Sequence, residues 1–130
     1  MITTELTYLT WVTAFTAVMW IPYILNLIIV RGLLDAVGYP ENPKPLSAWA
    51  TRMKHAHSNA IENLVVFGLL VLTAHAVGVS NEATVLACAV YFWARVVHFV
   101  VYTFGIPWFR TLAFVAGFAA QITLALQILG

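Results

Sequence analysis

Residues 6–30 are the stretch that most restricts the fold, because they contain no charged side chain. At ~1.5 Å per residue, a helix of this length crosses a hydrocarbon core of ~30 Å. Arg31 ends the stretch, and Pro22 predicts a kink within it. The only early charge is the acidic Glu5, whereas a signal peptide begins with basic residues. We therefore predict a retained first membrane helix over about residues 6–31.

The rest of the chain is equally unsuited to water. Of its 130 residues, 62% are hydrophobic and only 8% are charged, whereas soluble domains carry roughly 25% charged residues. Further helices are predicted over about residues 48–77, 82–104 and 108–129. Residues 32–47 contain Pro40, Pro43 and Pro45 and are predicted to form an irregular loop. The predicted fold is one domain, an all-α integral membrane protein built as an antiparallel four-helix transmembrane bundle.

Composition also excludes several classes of function. A net charge of +1 gives no reason to expect a nucleic-acid partner, and the single cysteine, Cys88, cannot form an intrachain disulfide. His55 and His57 are two residues apart and point to different faces of a helix, so they cannot share one ligand. The chain contains neither HExxH nor a Cys/His cluster, and we predict no metal site.

Basic residues predict the orientation. Five of the six flank the first and third connections: Arg31, Lys44, Arg52, Lys54 and Arg110. By the positive-inside rule these connections face the cytoplasm, and both chain termini lie on the other side.

Two polar stripes enter the apolar helices at this end. Arg52, His55, Asn59 and Glu62 are spaced by three, four and three residues; Tyr91, Arg95, His98 and Tyr102 are spaced by four, three and four. Each set therefore shares one helix face.

Arg95 is the most unusual of these side chains. A charge near mid-membrane costs about 2.5–3.5 kcal/mol on insertion scales, and Glu62 is the only acid at a matching depth. We predict a Glu62–Arg95 pair, which is either a structural clamp or part of a binding site. The donors gathered with it indicate a cationic pocket for a polar, anionic ligand, with apolar walls for a lipophilic one. For Arg52 and Lys54, anchoring to lipid phosphates is an equally good interpretation.

Two segments resemble signatures of the MAPEG family, the membrane-associated proteins in eicosanoid and glutathione metabolism. One is residues 57–64, HSNAIENL; the other is residues 95–98, RVVH, followed by Tyr102 and by Arg110 with Thr111. The resemblance implies a homotrimer of four-helix subunits in the lipid membrane. It also implies glutathione as cosubstrate between subunits near the cytoplasmic face, and lipophilic substrates that arrive from the bilayer.

The resemblance also implies roles for single residues. Arg110 and Tyr102 would be catalytic. Glutathione-binding positions would be Arg31, Asn59, Glu62, Arg95, His98 and Thr111. A thiol of pKa ~8.5 is mostly protonated at neutral pH, and a nearby guanidinium favours the nucleophilic thiolate. The expected function is a glutathione-dependent transferase or peroxidase acting on lipophilic electrophiles or hydroperoxides.

Two positions depart from the family pattern. Ser58 stands where some members have arginine, and Phe114 stands where some prostaglandin E synthases have tyrosine. They weaken a prostaglandin synthase assignment and favour an alternative, a non-catalytic lipid-binding or scaffold protein. A small pore or transporter is a weaker alternative, because the non-cytoplasmic end is expected to have almost no polar residues.

Overall fold

The computed structural model describes all 130 residues and contains only helices. They are α1 (Thr4–Val18), α2 (Trp20–Arg31), α3 (Leu33–Val37), α4 (Ala48–Ala76), α5 (Glu82–Thr103) and α6 (Phe109–Leu129). Four helical stretches are long and apolar enough to cross a membrane: Thr4–Arg31, Ala48–Ala76, Glu82–Thr103 and Phe109–Leu129. The four spans predicted from the sequence are confirmed, and their ends differ by at most two residues.

The first span is interrupted at Met19, between α1 and α2. Proline has no backbone N–H, and its ring clashes with the carbonyl four residues earlier, which for Pro22 is that of Val18. The Met19 N–H instead donates to the Thr16 carbonyl at 3.3 Å, a tighter turn than an α-helical one. The helix is therefore interrupted one turn before the proline, close to where the sequence predicts a kink.

The first connection is more ordered than predicted. Gly32 (φ 79°) ends α2, and its carbonyl accepts a hydrogen bond from Ala36 within the short helix α3. The prediction of an irregular loop is thus wrong for residues 33–37, where no proline interrupts a local helix. Asn26 then joins the two sides of the connection, because its side chain accepts from the Ser47 N–H and donates to the Ser47 hydroxyl.

The main core lies between the four spans. The Tyr91 ring of α5 stacks on the Phe67 ring of α4, with ring centroids 3.8 Å apart and planes inclined by 8°. Val12, Val71 and Leu124 are fully buried around this pair. All four spans therefore contribute side chains to this core.

Gly117 of α6 gives a test of this packing. A Cβ added there would lie 3.7 Å from the Tyr91 ring, which is ordinary van der Waals contact. We expect Gly117→Ala to be tolerated and Gly117→Leu to destabilise the protein by about 1–3 kcal/mol, because the larger side chain must displace the ring. Thermal unfolding in detergent measures both changes, and equal midpoints for the two variants would contradict the packing described.

The two ends of the bundle differ in charge. The end formed by the C-termini of α2 and α5 and the N-termini of α4 and α6 is called the basic end. At the opposite end, the buried Glu5 accepts hydrogen bonds from Ser80 and Thr84, and Asn81 donates to Gln127. The expectation that this end is almost without polar groups is therefore wrong. Glu5 belongs to a hydrogen-bonded cluster that joins α1, α5 and α6.

Candidate functional site

The turn between α5 and α6 brings the third and fourth spans together at the basic end. Gly105 and Trp108 both have positive φ, 70° and 69°. The Phe109 N–H donates to the Pro107 carbonyl at 2.8 Å, so Trp108 is the centre of a three-residue γ-turn. Such a conformation costs a non-glycine residue about 1–3 kcal/mol and is found preferentially at functional sites. The sharp reversal places the first turn of α6 beside the last turn of α5.

Arg110 lies directly over an aromatic ring as a result. Its guanidinium carbon is 4.6 Å from the centroid of the Tyr102 ring, which is within the range of a cation–π interaction. The ring of His98, one turn earlier on α5, lies 5.5 Å from that of Tyr102. Tyr102 therefore contacts both Arg110 and His98.

These side chains line an open cleft of about 250 Å³, called here the Arg110 cleft. Its lining residues are Asn59, His98, Tyr102, Arg110, Thr111 and Phe114. Five of the six are positions that the sequence predicts as site residues, drawn from α4, α5 and α6. The structure brings these five together, and their chemical roles stay predictions.

Arg52 adds a second guanidinium next to this cleft. Its Nε donates to the Thr103 carbonyl at 2.9 Å, which satisfies one of the last acceptors of α5. A Cβ added at Gly105 would lie 3.1 Å from the same Nε, so glycine allows this close approach. With Tyr102 and Arg110, Arg52 lines a pocket of about 210 Å³. The sequence does not indicate this contact, because it depends on how α4 packs against a turn some fifty residues away.

Arg95 is buried, with 2% of its surface exposed. Its Nη2 donates to the Asn59 Oδ1 at 2.9 Å and lies 3.4 Å from the His98 Nδ1. Asn59 is therefore the partner of Arg95 in this chain, and the predicted Glu62–Arg95 pair is not formed. Glu62 follows Asn59 by three residues on α4, so its side chain points about 60° away from that of Asn59 around the helix axis. Because α5 packs on the Asn59 side, Glu62 is left exposed.

Arg31 also lies outside the Arg110 cleft. Its Nε donates to the Lys44 carbonyl at 2.7 Å, which ties the end of α2 to the first connection. Neither Arg31 nor Glu62 lines this cleft. Their role in binding glutathione stays a prediction.

A contact that the sequence analysis missed joins the first span to the second. The Tyr23 hydroxyl and the His57 Nδ1 are 2.7 Å apart. Tyr23 belongs to the smaller core cluster with Ala50 and Met53. Periodicity places His57 on the opposite side of α4 from His55, but it gives no sign that a tyrosine of another helix lies there.

Comparison with known proteins supports the resemblance. A model of the MAPEG family matches residues 9–130, which is nearly the whole chain. The chain belongs to the MAPEG family. A comparison with curated protein sequences gave no significant match. MAPEG membership and the four apolar spans establish an integral, multi-pass membrane protein of a family that includes glutathione transferases and related enzymes.

Proposed function

We propose that this MAPEG protein is a membrane-bound, glutathione-dependent transferase or peroxidase acting on lipophilic electrophiles or hydroperoxides. Glutathione would bind at the basic end, which we expect to face the cytoplasm. The observation that carries the proposal is the placement of Arg110. Its guanidinium is exposed, lies on the wall of an open cleft and is held over Tyr102.

The charges of the cleft suit an anionic thiol. Arg110 and the neighbouring Arg52 provide two guanidinium groups, and no acidic residue lines either pocket. A guanidinium close to a thiol stabilises the thiolate, which is the nucleophile in conjugation and in peroxide reduction. Asn59, His98 and Thr111 add hydrogen-bonding groups along the same wall. In this proposal Arg110 stabilises the thiolate, and the Tyr102 hydroxyl donates a second hydrogen bond to it.

Arg95 would act on the ligand through Asn59. Its guanidinium is buried behind the cleft and holds the Asn59 side-chain oxygen at 2.9 Å. This hydrogen bond fixes the orientation of the Asn59 amide. Its oxygen accepts from Arg95, and its nitrogen remains available to donate to a ligand. Arg95 is thus proposed as a positioning residue and not as a direct ligand.

The exposed face of α4 supports a homotrimer. His55, Ser58 and Glu62 are all exposed and are spaced by three and four residues, so they share one face. A carboxylate on a lipid-facing helix is costly. A neighbouring subunit packed on this face would remove the charge from lipid and would close the open side of the site. Glu62 could then reach the amino group of a glutathione bound between subunits.

Glu62 therefore provides a separate prediction. If it faces a subunit interface, Glu62→Leu should weaken glutathione binding about tenfold, because one charge-assisted hydrogen bond is lost. If it faced lipid, leucine would stabilise the protein and leave binding unchanged. Glutathione titration and native mass spectrometry of the trimer measure the two effects. Glu41→Leu, an exposed acid in the first connection, is the matched control.

The proposed function is tested with purified protein in detergent. We expect it to bind glutathione, to show thiolate absorbance in the ultraviolet, and to conjugate a chlorinated aromatic electrophile or reduce a lipid hydroperoxide. A protein that binds no glutathione and turns over neither substrate would refute the proposal.

A second candidate function is a non-catalytic lipid-binding or scaffold protein. It is favoured by an apolar groove of about 510 Å³ between α5 and α6, lined only by hydrophobic residues that include Trp93, Val97 and Leu112. Such a groove suits an acyl chain in the bilayer. A lipid that co-purifies with the protein, together with no thiolate signal on adding glutathione, would favour this function over the first.

A further inference from the structure

Glu5 is a buried carboxylate at the end of the bundle opposite the Arg110 cleft. Only 6% of its surface is exposed. One carboxylate oxygen, Oε1, accepts from both the Ser80 and the Thr84 hydroxyls at 2.7 Å. The other oxygen, Oε2, makes no hydrogen bond to another residue. Glu5 is thus anchored by one oxygen and free to bind through the other.

No lysine or arginine lies near this charge, and the one ionisable base beside it is His75, which lines the same cavity. Five of the six Lys and Arg residues lie at the basic end, and the sixth, Arg95, is bound to Asn59. The side chains that donate hydrogen bonds to Glu5 are neutral hydroxyls. Burying a carboxylate without an opposite charge is unfavourable, so a site of this kind gains most from a cation that comes from outside the chain.

Glu5 also lines a cavity that could receive such a cation. The cavity has a volume of about 210 Å³ and lies between the start of α1, the end of α4 and the following turn. Its lining residues are Thr3, Glu5, Val71, Ala74, His75, Gly78, Val79 and Ser80. The lining combines one carboxylate, an imidazole and hydroxyls with three small apolar side chains, and it contains no lysine or arginine.

We propose that this cavity, the Glu5 pocket, binds a primary ammonium group. Three N–H donors match the free Glu5 oxygen and the other acceptors of the lining, such as the His75 ring. A divalent metal ion is a poorer fit, since no three His, Cys, Asp or Glu side chains are grouped here. A quaternary ammonium has no N–H to donate and is recognised by the rings of Trp, Tyr or Phe, none of which lines the cavity.

The ammonium could belong to the ethanolamine headgroup of a lipid or to a free small amine. The pocket lies at the ends of membrane spans, which is where headgroups are found. The inference does not depend on the proposed glutathione chemistry, because none of the pocket residues lines the Arg110 cleft.

The test compares lipids and free amines on the same purified protein. The protein is placed in bilayer discs that contain equal amounts of phosphatidylethanolamine and phosphatidylcholine. It is then released from the discs, and the lipids that stay bound are counted by native mass spectrometry. Thermal unfolding in detergent is measured in parallel with ethanolamine or choline. We expect phosphatidylethanolamine to be retained about tenfold over phosphatidylcholine, the effect of roughly one charge-assisted hydrogen bond.

Three variants complete the experiment: two that should abolish the lipid preference and one control that should keep it. Glu5→Gln keeps the shape and the acceptor for Ser80 and Thr84 but removes the charge, and should abolish the preference. Glu82→Gln, an exposed acid in the first turn of α5 at the same end, should keep it. Ala74→Leu places a larger side chain in the pocket at a residue that is not a hydrogen-bond partner of Glu5. It should also abolish the preference, which covers the case that Glu5→Gln does not fold.

Each outcome decides the proposal. A lipid preference lost in Glu5→Gln assigns a lipid headgroup to the pocket. Stabilisation by ethanolamine but not choline, without a lipid preference, assigns a free amine. Equal retention of the two lipids with no effect of ethanolamine would overturn the proposal, as would an unchanged preference in both Glu5→Gln and Ala74→Leu.

Discussion

Replacing Arg110 by alanine is expected to lower the rate of glutathione conjugation by about 10²–10³-fold, the usual cost of losing one electrostatic donor at a reacting centre. Arg110 lines the cleft and is held over Tyr102 at 4.6 Å, so its charge is close to where a thiolate would form. Thiolate absorbance on adding glutathione should fall with the rate. Lys54→Ala removes an exposed cation from the same end that lines neither pocket, and should leave both measurements unchanged.

Two substitutions of Tyr102 separate the contribution of its aromatic ring from that of its hydroxyl group. Tyr102→Phe keeps the ring under Arg110 and removes only the hydroxyl, whereas Tyr102→Leu removes both. If the ring mainly positions Arg110, the phenylalanine variant should retain most of the thiolate signal and the leucine variant should lose it. Full thiolate formation in Arg110→Ala would show that Arg110 does not activate the thiol.

The largest expected effect on stability is that of Asn59→Leu. Asn59 provides the shorter of the two hydrogen-bond contacts of the buried Arg95, at 2.9 Å, against 3.4 Å for the His98 ring. Leaving a buried charged donor without its hydrogen-bond acceptor costs about 3 kcal/mol or more, because the desolvated guanidinium is left unsatisfied. We expect a comparable loss in the free energy of unfolding, measured by thermal or denaturant unfolding in detergent.

A double-mutant cycle shows whether this cost comes from the stranded charge. Arg95→Met removes the charge and keeps an apolar side chain of similar length, so Asn59→Leu should cost much less in the presence of Arg95→Met than alone. If the two effects simply add, Asn59 and Arg95 do not stabilise each other. The destabilisation would then come from packing.

The helices were the most predictable part of this protein. Uncharged stretches long enough to cross a bilayer are local properties of the sequence, and so are the prolines and glycines that end them. The kink near Pro22 follows from the missing N–H of one residue. The sequence analysis did not predict the short helix over residues 33–37. Such a helix depends on a few local hydrogen bonds, and the three prolines that follow it favour an irregular loop.

The candidate site was predictable in part. Asn59, His98, Tyr102, Arg110 and Thr111 were expected together and do line one cleft. Helix spacing and the positions of the helix ends placed most of these side chains at one end of the bundle, and the resemblance to the MAPEG family added Thr111. Arg31 and Glu62 do not line the cleft, and their predicted role stays a prediction. Placing them required knowing which side of α2 and α4 faces the neighbouring helices.

The sequence could not show which residues pair with Arg95 and with Glu5. Asn59 and Glu62 are one helical turn apart, so either could have met Arg95 by depth alone. The rotation of α4 against α5 selects Asn59 and leaves Glu62 exposed. Likewise, nothing near Glu5 in the sequence indicates that Ser80 and Thr84 enclose it, because those residues come from a turn and a helix more than seventy residues away.

The sequence by itself determined that this protein crosses a membrane four times and carries its basic residues at one end, because hydrophobic length and charge are properties of each segment alone. Only the tertiary structure decided that Arg95 pairs with Asn59, that Tyr102 supports Arg110, and that Glu5 lines a pocket of its own. These contacts depend on the rotation and depth of one helix against another, which the packing of all four spans sets together.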